Sequence, residues 1–232
     1  MFDYIFFDCM ETLVDLKKLP ALKDYAAWAY YGSGAEERWV DFDEFFRYYL
    51  LARQELSAKL PEYADYDMYT RFLHIVRLSM PDKPYEVMES TAADLYRNYW
   101  RNYKSGSFVR DDVLHALPQL MKRYKMGVVS NFMITGGIEE MLELHGIAGY
   151  FEFVVTSVAV GWIKPHPAIY KKALELADIA PEKVIFVGDD LMNDYTAPAE
   201  FGMLTVYLDR SGRHPELERR VTNFKELEKM LL

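Results

Sequence analysis

Residues 183–194 read KVIFVGDDLMND. The run Val184–Val187 is apolar, β-branched or aromatic, and Gly188, Asp189 and Asp190 end it. It is too short for a typical helix and has the composition of a strand buried on both faces. Its neighbours alternate. LTVYLD gives a strand over 204–208, and TAPAEFGM a short helix ended near Gly202. HPAIYKKALELADI is a helix with Pro167 in its first turn, and YFEFVVTS a strand near 153–157. GIEEMLELHG is a helix stopped by Gly146, and KMGVVSN a strand at about 126–130. NFKELEKMLL closes the chain as an amphipathic helix. This alternation predicts an α/β fold: a Rossmann-like parallel sheet core with helices on both faces.

FDYIFF, residues 2–7, is a further buried strand, ended by Asp8. From about 16 to 105 the pattern changes. WVDFDEFFRYYLLARQEL spaces Phe42, Phe45, Phe46, Tyr49, Leu50 and Leu56 at a helical period. YDMYTRFLHIVRLSM and YEVMESTAADLYRNYWRNY behave alike, with Pro61, Pro81 and Pro84 between them. Gly106, between Ser105 and Ser107, marks a hinge. The expected organisation is a core of residues 1–14 and 107–232 with an inserted all-helical domain, 15–106. The aromatics Trp28, Tyr30, Tyr31, Trp39, Phe45 and Phe46 are expected in its interior.

The chain has 232 residues, 51% of them hydrophobic, enough to bury roughly 70–75% of the unfolded surface without staples. Its one cysteine, Cys9, excludes an intrachain disulfide framework and a CxxC zinc site. A net charge of −9 argues against nucleic acid as partner. No apolar run reaches the ~20 residues of a membrane span. The opening MFDYIFFD has no basic stretch of the kind that begins a signal peptide. A cytoplasmic protein with neither membrane nor nucleic-acid partner is expected, as a monomer or homodimer.

In parallel sheets, polar groups at the carboxyl ends of strands build the site. Those ends carry Asp8-Cys9-Met10-Glu11-Thr12, Ser130-Asn131, and Gly188-Asp189-Asp190 with Asn193-Asp194; a loop adds Lys164. Asp8, Asp189 and Asp194 brought together would repel one another unless a cation sat among them. All-oxygen ligation suits Mg²⁺, which also bridges to phosphate. A carboxylate such as Asp8 can act as nucleophile and form an aspartyl-phosphate. Ser130 and Lys164 can hold phosphoryl oxygens, with Thr12 and Asn131 adding substrate contacts. Asn193 reads as a helix cap, His166 as a helix start, and His74 and Cys9 as packing residues; Asp190 is left between a supporting charge and a solvated one.

The set resembles the haloacid dehalogenase-like (HAD) hydrolase superfamily. Its first motif, DxDGT(L/V), is similar to DCMETL at 8–13; its strand-end Ser/Thr to Ser130 in VVSN. KPxPxxY is matched by KPHPAIY at 164–170, and GDxxxxD by GDDLMND at 188–194. The order agrees along the whole chain, and the helical insert resembles a C1-type cap that closes over the site. The resemblance implies Asp8 as nucleophile and Mg²⁺ ligand, the Met10 carbonyl and Asp189 as further ligands, and Asp194 as a direct or water-mediated one. It implies Ser130 and Lys164 as phosphoryl-binding groups.

Met10 departs from the pattern. Phosphatases of this family carry there an Asp that protonates the leaving oxygen and then activates water; a thioether does neither. Glu11 fills the usual Gly position. The expectation is Mg²⁺-dependent hydrolysis of a small phosphorylated metabolite, slowed by Met10. The alternatives are a 2-haloacid dehalogenase-type hydrolase, which needs no leaving-group acid, and a degenerate member that binds a phosphorylated ligand without turnover. Phosphonatase-like chemistry would need a cap lysine, and Lys17, Lys18, Lys23 and Lys59 match no motif.

Overall fold

The structure is a computed structural model and describes residues 2–232; residue 1, where the first expected segment begins, lies outside them. The chain forms two compact units. One comprises the stretch up to Asp15 together with Phe108–Leu232; the other is Leu16–Ser107.

The strands in chain order are β1 (Tyr4–Phe7), β2 (Asp15–Leu16), β3 (Ser107–Phe108), β4 (Lys125–Ser130), β5 (Phe153–Thr156), β6 (Val184–Gly188), β7 (Leu204–Leu208) and β8 (Arg220–Val221). Six of them form one sheet in the order β5-β4-β1-β6-β7-β8, with every pairing parallel. The short strands β2 and β3, where the chain crosses between the units, form a sheet of their own. All four residues of β1 and all five of β6 are buried, which is why these strands read as unbroken apolar runs.

The helices are α1 (Leu22–Tyr30), α2 (Phe42–Lys59), α3 (Met68–Ser79), α4 (Tyr85–Gly106), α5 (Asp111–Leu120), α6 (Gly137–Leu144), α7 (Ser157–Val160), α8 (Pro167–Ala177), α9 (Ala197–Glu200) and α10 (Phe224–Leu231). Alternate strand residues point to opposite faces of the sheet. Tyr4, Phe6, Val129, Val155, Val184 and Phe186 pack with Ile169, Tyr170 and Ala173 of α8. On the other face Phe7 stacks on Phe224 of α10, ring centroids 5.8 Å apart. The sequence reading passed over α5, β2, β3 and β8. Pro118 interrupts the first of these, and the strands are two residues long, below any periodic signal.

In the helical unit α4 packs against α1 and α3. Asp41 accepts Glu44 N–H at 2.8 Å to start α2, and Asp67 accepts Tyr69 N–H at 2.8 Å to start α3. The Asn98 amide closes the carboxyl end of α1 on the carbonyls of Trp28, Ala29 and Tyr31 at 2.8–3.0 Å. Tyr30, Trp39, Phe45, Tyr49, Phe72 and Tyr99 are buried. Tyr31, expected inside, is 58% exposed, and Leu50, placed on the apolar face of α2, is also exposed. The buried face of α2 runs through Phe45, Tyr49 and Ala52 instead. Among the described residues no helix is long and apolar enough to cross a membrane.

Candidate active site

The sheet order sets β4, β1 and β6 side by side, so their carboxyl ends meet. Phe7 is level with Val128 on one side and Val187 on the other, and Asp8 N–H continues the ladder to Val187 O at 2.9 Å. Asp8 follows Phe7 directly, and Ser130 and Asp189 lie two residues past Val128 and Val187.

Ser130 Oγ donates to Asp8 Oδ1 at 3.1 Å. Lys164 Nζ donates to the same oxygen at 2.8 Å, to Asp194 Oδ1 at 2.7 Å and to Val129 O at 2.9 Å. Three acceptors use all three ammonium protons. Asp8 Oδ1 is thus held twice, while Oδ2 accepts no protein hydrogen bond among the described residues. Burial alone would lower the Lys164 ammonium, but Asp194 and Asp8 raise it above the ordinary lysine value, so it stays charged.

Asp194 reaches the cluster on a turn of π-helix, Leu191–Thr196. Asp190 caps that turn, its Oδ1 accepting Met192 N–H at 3.0 Å and Asn193 N–H at 2.8 Å, while its own N–H donates to Asp194 Oδ2 at 3.1 Å. The capping assigned in sequence to Asn193 therefore belongs to Asp190. Tyr170 Oη pins the turn to α8 by donating to Asn193 O at 2.6 Å. Gly188 makes room: a Cβ there would overlap the Asp194 carboxylate.

Carboxylate oxygens of Asp8, Asp189 and Asp194 all lie within 4.8 Å of one another. At an effective dielectric of about 20, two charges at that spacing repel by roughly 3–4 kcal/mol. Burial, then Asp8 and Asp194, push the Asp189 carboxyl up to about 8. Burial raises Asp194 to about 7 against the opposing pull of Lys164. When all three are ionised, three carboxylates facing one ammonium leave two negative charges uncompensated, which fits a divalent cation.

Thr12 Oγ1 donates to Asp189 Oδ1 at 3.3 Å. The Asn131 amide accepts Lys164 N–H on Oδ1 at 2.6 Å and donates from Nδ2 to Lys164 O at 3.1 Å, clamping the lysine backbone. Both residues, expected to touch substrate, make these hydrogen bonds to other groups of the site. His166 Nδ1 accepts Ala168 N–H at 3.2 Å, starting α8, and His74 pairs with Glu55 at 2.9 Å. Cys9 is buried, and burial pushes its thiol well above the ordinary value, opposite to what a nucleophilic thiolate needs. Met10 is half-buried and bridges to Val14 within the turn.

Sequence reasoning missed Arg210, which follows β7. Its NH1 donates to Glu11 O at 2.7 Å and to Asp15 Oδ1 at 3.0 Å, and its NH2 to Thr12 O at 3.0 Å. Its place just past a strand end was the one available signal.

Known proteins resemble this chain along most of its length. A family model described as haloacid dehalogenase-like hydrolase matches residues 2–202. A glyceraldehyde 3-phosphate phosphatase from Pyrococcus furiosus is 31% identical over 219 residues, 92% of this chain and 83% of that protein. A haloacid dehalogenase-like hydrolase domain-containing protein 3 from Xenopus laevis is 42% identical over 94 residues, 40% of this chain and 37% of that protein. A crystal structure of a 2-haloacid dehalogenase from Pseudomonas syringae superposes with a TM-score of 0.78 over 100% of this chain and 98% of that one, at 20% identity, a likeness of fold. With the family match spanning most of the chain and the strand-end carboxylates gathered as described, this protein belongs to the haloacid dehalogenase-like hydrolase family.

Proposed function

We propose that the protein is a Mg²⁺-dependent phosphatase that cleaves a small phosphorylated metabolite through an aspartyl-phosphate at Asp8, slowly because of Met10. The observation that carries this reading is the asymmetric holding of Asp8. Ser130 and Lys164 fix Oδ1, and Oδ2 is left to face a reacting phosphorus or a cation. Asp8, Asp189, Asp194 and the Met10 carbonyl would hold the Mg²⁺. When bound, Mg²⁺ supplies charge neutralisation for a phosphoryl group beside an anionic nucleophile.

The chain's own residues do the rest. Asp8 attacks phosphorus in line, the P–O bond to the leaving group breaks, and that oxygen departs with the electron pair. Lys164 stays ammonium and, with Ser130, stabilises charge on the phosphoryl oxygens. Water then attacks the phosphorus of the acyl-phosphate, releasing phosphate and restoring Asp8. Proton transfer to the leaving oxygen falls to solvent, because position 10 is a thioether; such acid–base help is typically worth ~10²–10⁴ in rate. The P. furiosus relative, named a glyceraldehyde 3-phosphate phosphatase, makes small phosphorylated metabolites the first substrates to assay.

The test is p-nitrophenyl phosphate hydrolysis with Mg²⁺, with EDTA, and by Asp8→Asn. Turnover that needs the metal and disappears in the variant is expected. Equal rates for Asp8→Asn and the native chain would overturn the reading. Met10 also favours a second one, haloacid dehalogenation, which chloride release from a 2-chloroacid unaffected by EDTA would support. Tight binding of a phosphorylated ligand with no product would instead mark a degenerate member.

A further inference from the structure

Glu11 has a backbone φ of +59°, the left-handed region that a residue with a Cβ enters only at a cost. Such a conformation persists where its surroundings over-determine it. Here the turn is wound tightly. Cys9 O accepts Leu13 N–H at 2.8 Å and Val14 N–H at 2.9 Å, and Glu11 N–H donates to Val14 O at 2.8 Å. These bonds close the turn from within. From outside, the Arg210 guanidinium braces it, on the consecutive carbonyls of Glu11 and Thr12 and on buried Asp15. Asp15 also has Arg110 as a partner, so neutralising Asp15 does not by itself require Arg210.

We propose that Arg210 is a positioning residue for the nucleophile turn, holding Glu11 in its left-handed conformation and thereby aiming the Met10 carbonyl and the Thr12 hydroxyl at the carboxylate cluster. Planarity of the 10–11 peptide links the two ends of this claim. The Met10 C=O lies antiparallel to the Glu11 N–H, whose direction the turn sets. Thr12 carries the effect further, since its carbonyl is held by Arg210 and its hydroxyl donates to Asp189. The guanidinium suits the task because its planar fork reaches neighbouring acceptors in fixed geometry.

The proposal rests on the reading of this site as one that binds a divalent cation, and Mn²⁺ binding to the full chain, followed by loss of the free-ion EPR signal, tests both. Supporting contacts of this kind typically change metal affinity 10–100-fold. Arg210→Ala is expected to weaken Mn²⁺ binding at least about tenfold, and Arg210→Lys, with donors but no fork, by less. Methylguanidinium added to Arg210→Ala should restore affinity. So should Glu11→Gly in the Arg210→Ala background, because glycine takes the left-handed backbone freely. A purely structural arginine predicts a lower melting temperature with Mn²⁺ affinity unchanged, and that result overturns the proposal. So does a loss of affinity that neither methylguanidinium nor Glu11→Gly restores. A native chain that binds no Mn²⁺ overturns the metal-site reading and this proposal together. Should Arg210→Ala fail to fold, Arg210→Lys decides the matter alone: unchanged affinity overturns the proposal.

Discussion

Met10 stands where the phosphatase motif that this chain resembles carries an acid. It is half-buried, and its backbone bridges to Val14 within the turn. The rest of the site is intact around it: Asp8 keeps Ser130 and Lys164, and Lys164 keeps Asp194. Met10→Asp should therefore add a proton donor without disturbing the nucleophile. General acid help matters most where the leaving alkoxide is a strong base. We expect Met10→Asp to raise kcat on alkyl phosphates by about 10²-fold or more, and on p-nitrophenyl phosphate by much less. Rates measured across leaving groups of graded pKa check this. The native chain should show the steeper dependence, and equal native rates on aryl and alkyl phosphates would mean that another group supplies the proton.

The strand β6 and the turn after it act as one device, and Gly188 is its joint. Asp194 folds back over the strand end so closely that the position next to Asp189 admits no side chain. Gly188→Ala should displace Asp194, separating it from Lys164 and from the other two carboxylates. Overpacking of this kind costs roughly 1–3 kcal/mol. A lower urea midpoint together with loss of metal-dependent turnover is the expected result, and native values for both would show that the turn can move aside. This device was half legible in the sequence. The apolar run Val184–Val187 betrays β6 because the strand is buried on both faces, and a strand end announces Asp189. The same logic located β1, β4, β5 and β7, and the carboxylates and hydroxyl that meet above them, whereas Lys164 comes from a loop. What stayed hidden depends on partners without a sequence signature. Asp190 caps through backbone N–H groups, and Arg210 braces carbonyls that every residue possesses. Thr12 and Asn131 were legible as polar groups near the site. A hydroxyl or amide gives no sign of which protein groups it will meet, and the partners Asp189 and the Lys164 backbone were not legible.

Every group of the site, Arg210 included, belongs to the unit built from the stretch up to Asp15 and Phe108–Leu232, so metal and pH should act on that unit's stability. Asp189 and Asp194 are held up to about 8 and about 7, against an ordinary carboxyl value near 4. Between those values the folded chain keeps protons that the unfolded chain has released. Stability must then fall as pH rises through that window, and the loss is complete above about pH 8. Half-buried His145, lowered by desolvation, works the other way near and below pH 6.5, since the unfolded chain binds its proton more readily. A divalent cation competes with the carboxyl protons and leaves His145 alone. It stabilises by RT ln(1 + [L]/Kd), about 2.7 kcal/mol at a hundredfold excess over Kd. For a chain of this size that is roughly 5–11 °C in Tm. Melts in EDTA should therefore lose several degrees between about pH 6 and 8.5, melts in saturating Mg²⁺ should lose less, and the gap should widen with pH. Asp189→Asn removes one of the titrating carboxyls and one of the proposed ligands. It should flatten the EDTA profile and shrink the Mg²⁺ gap at the same time. An EDTA profile that rises across this range would mean that the cluster ionises without strain, and that its carboxylates are held apart by something other than a metal.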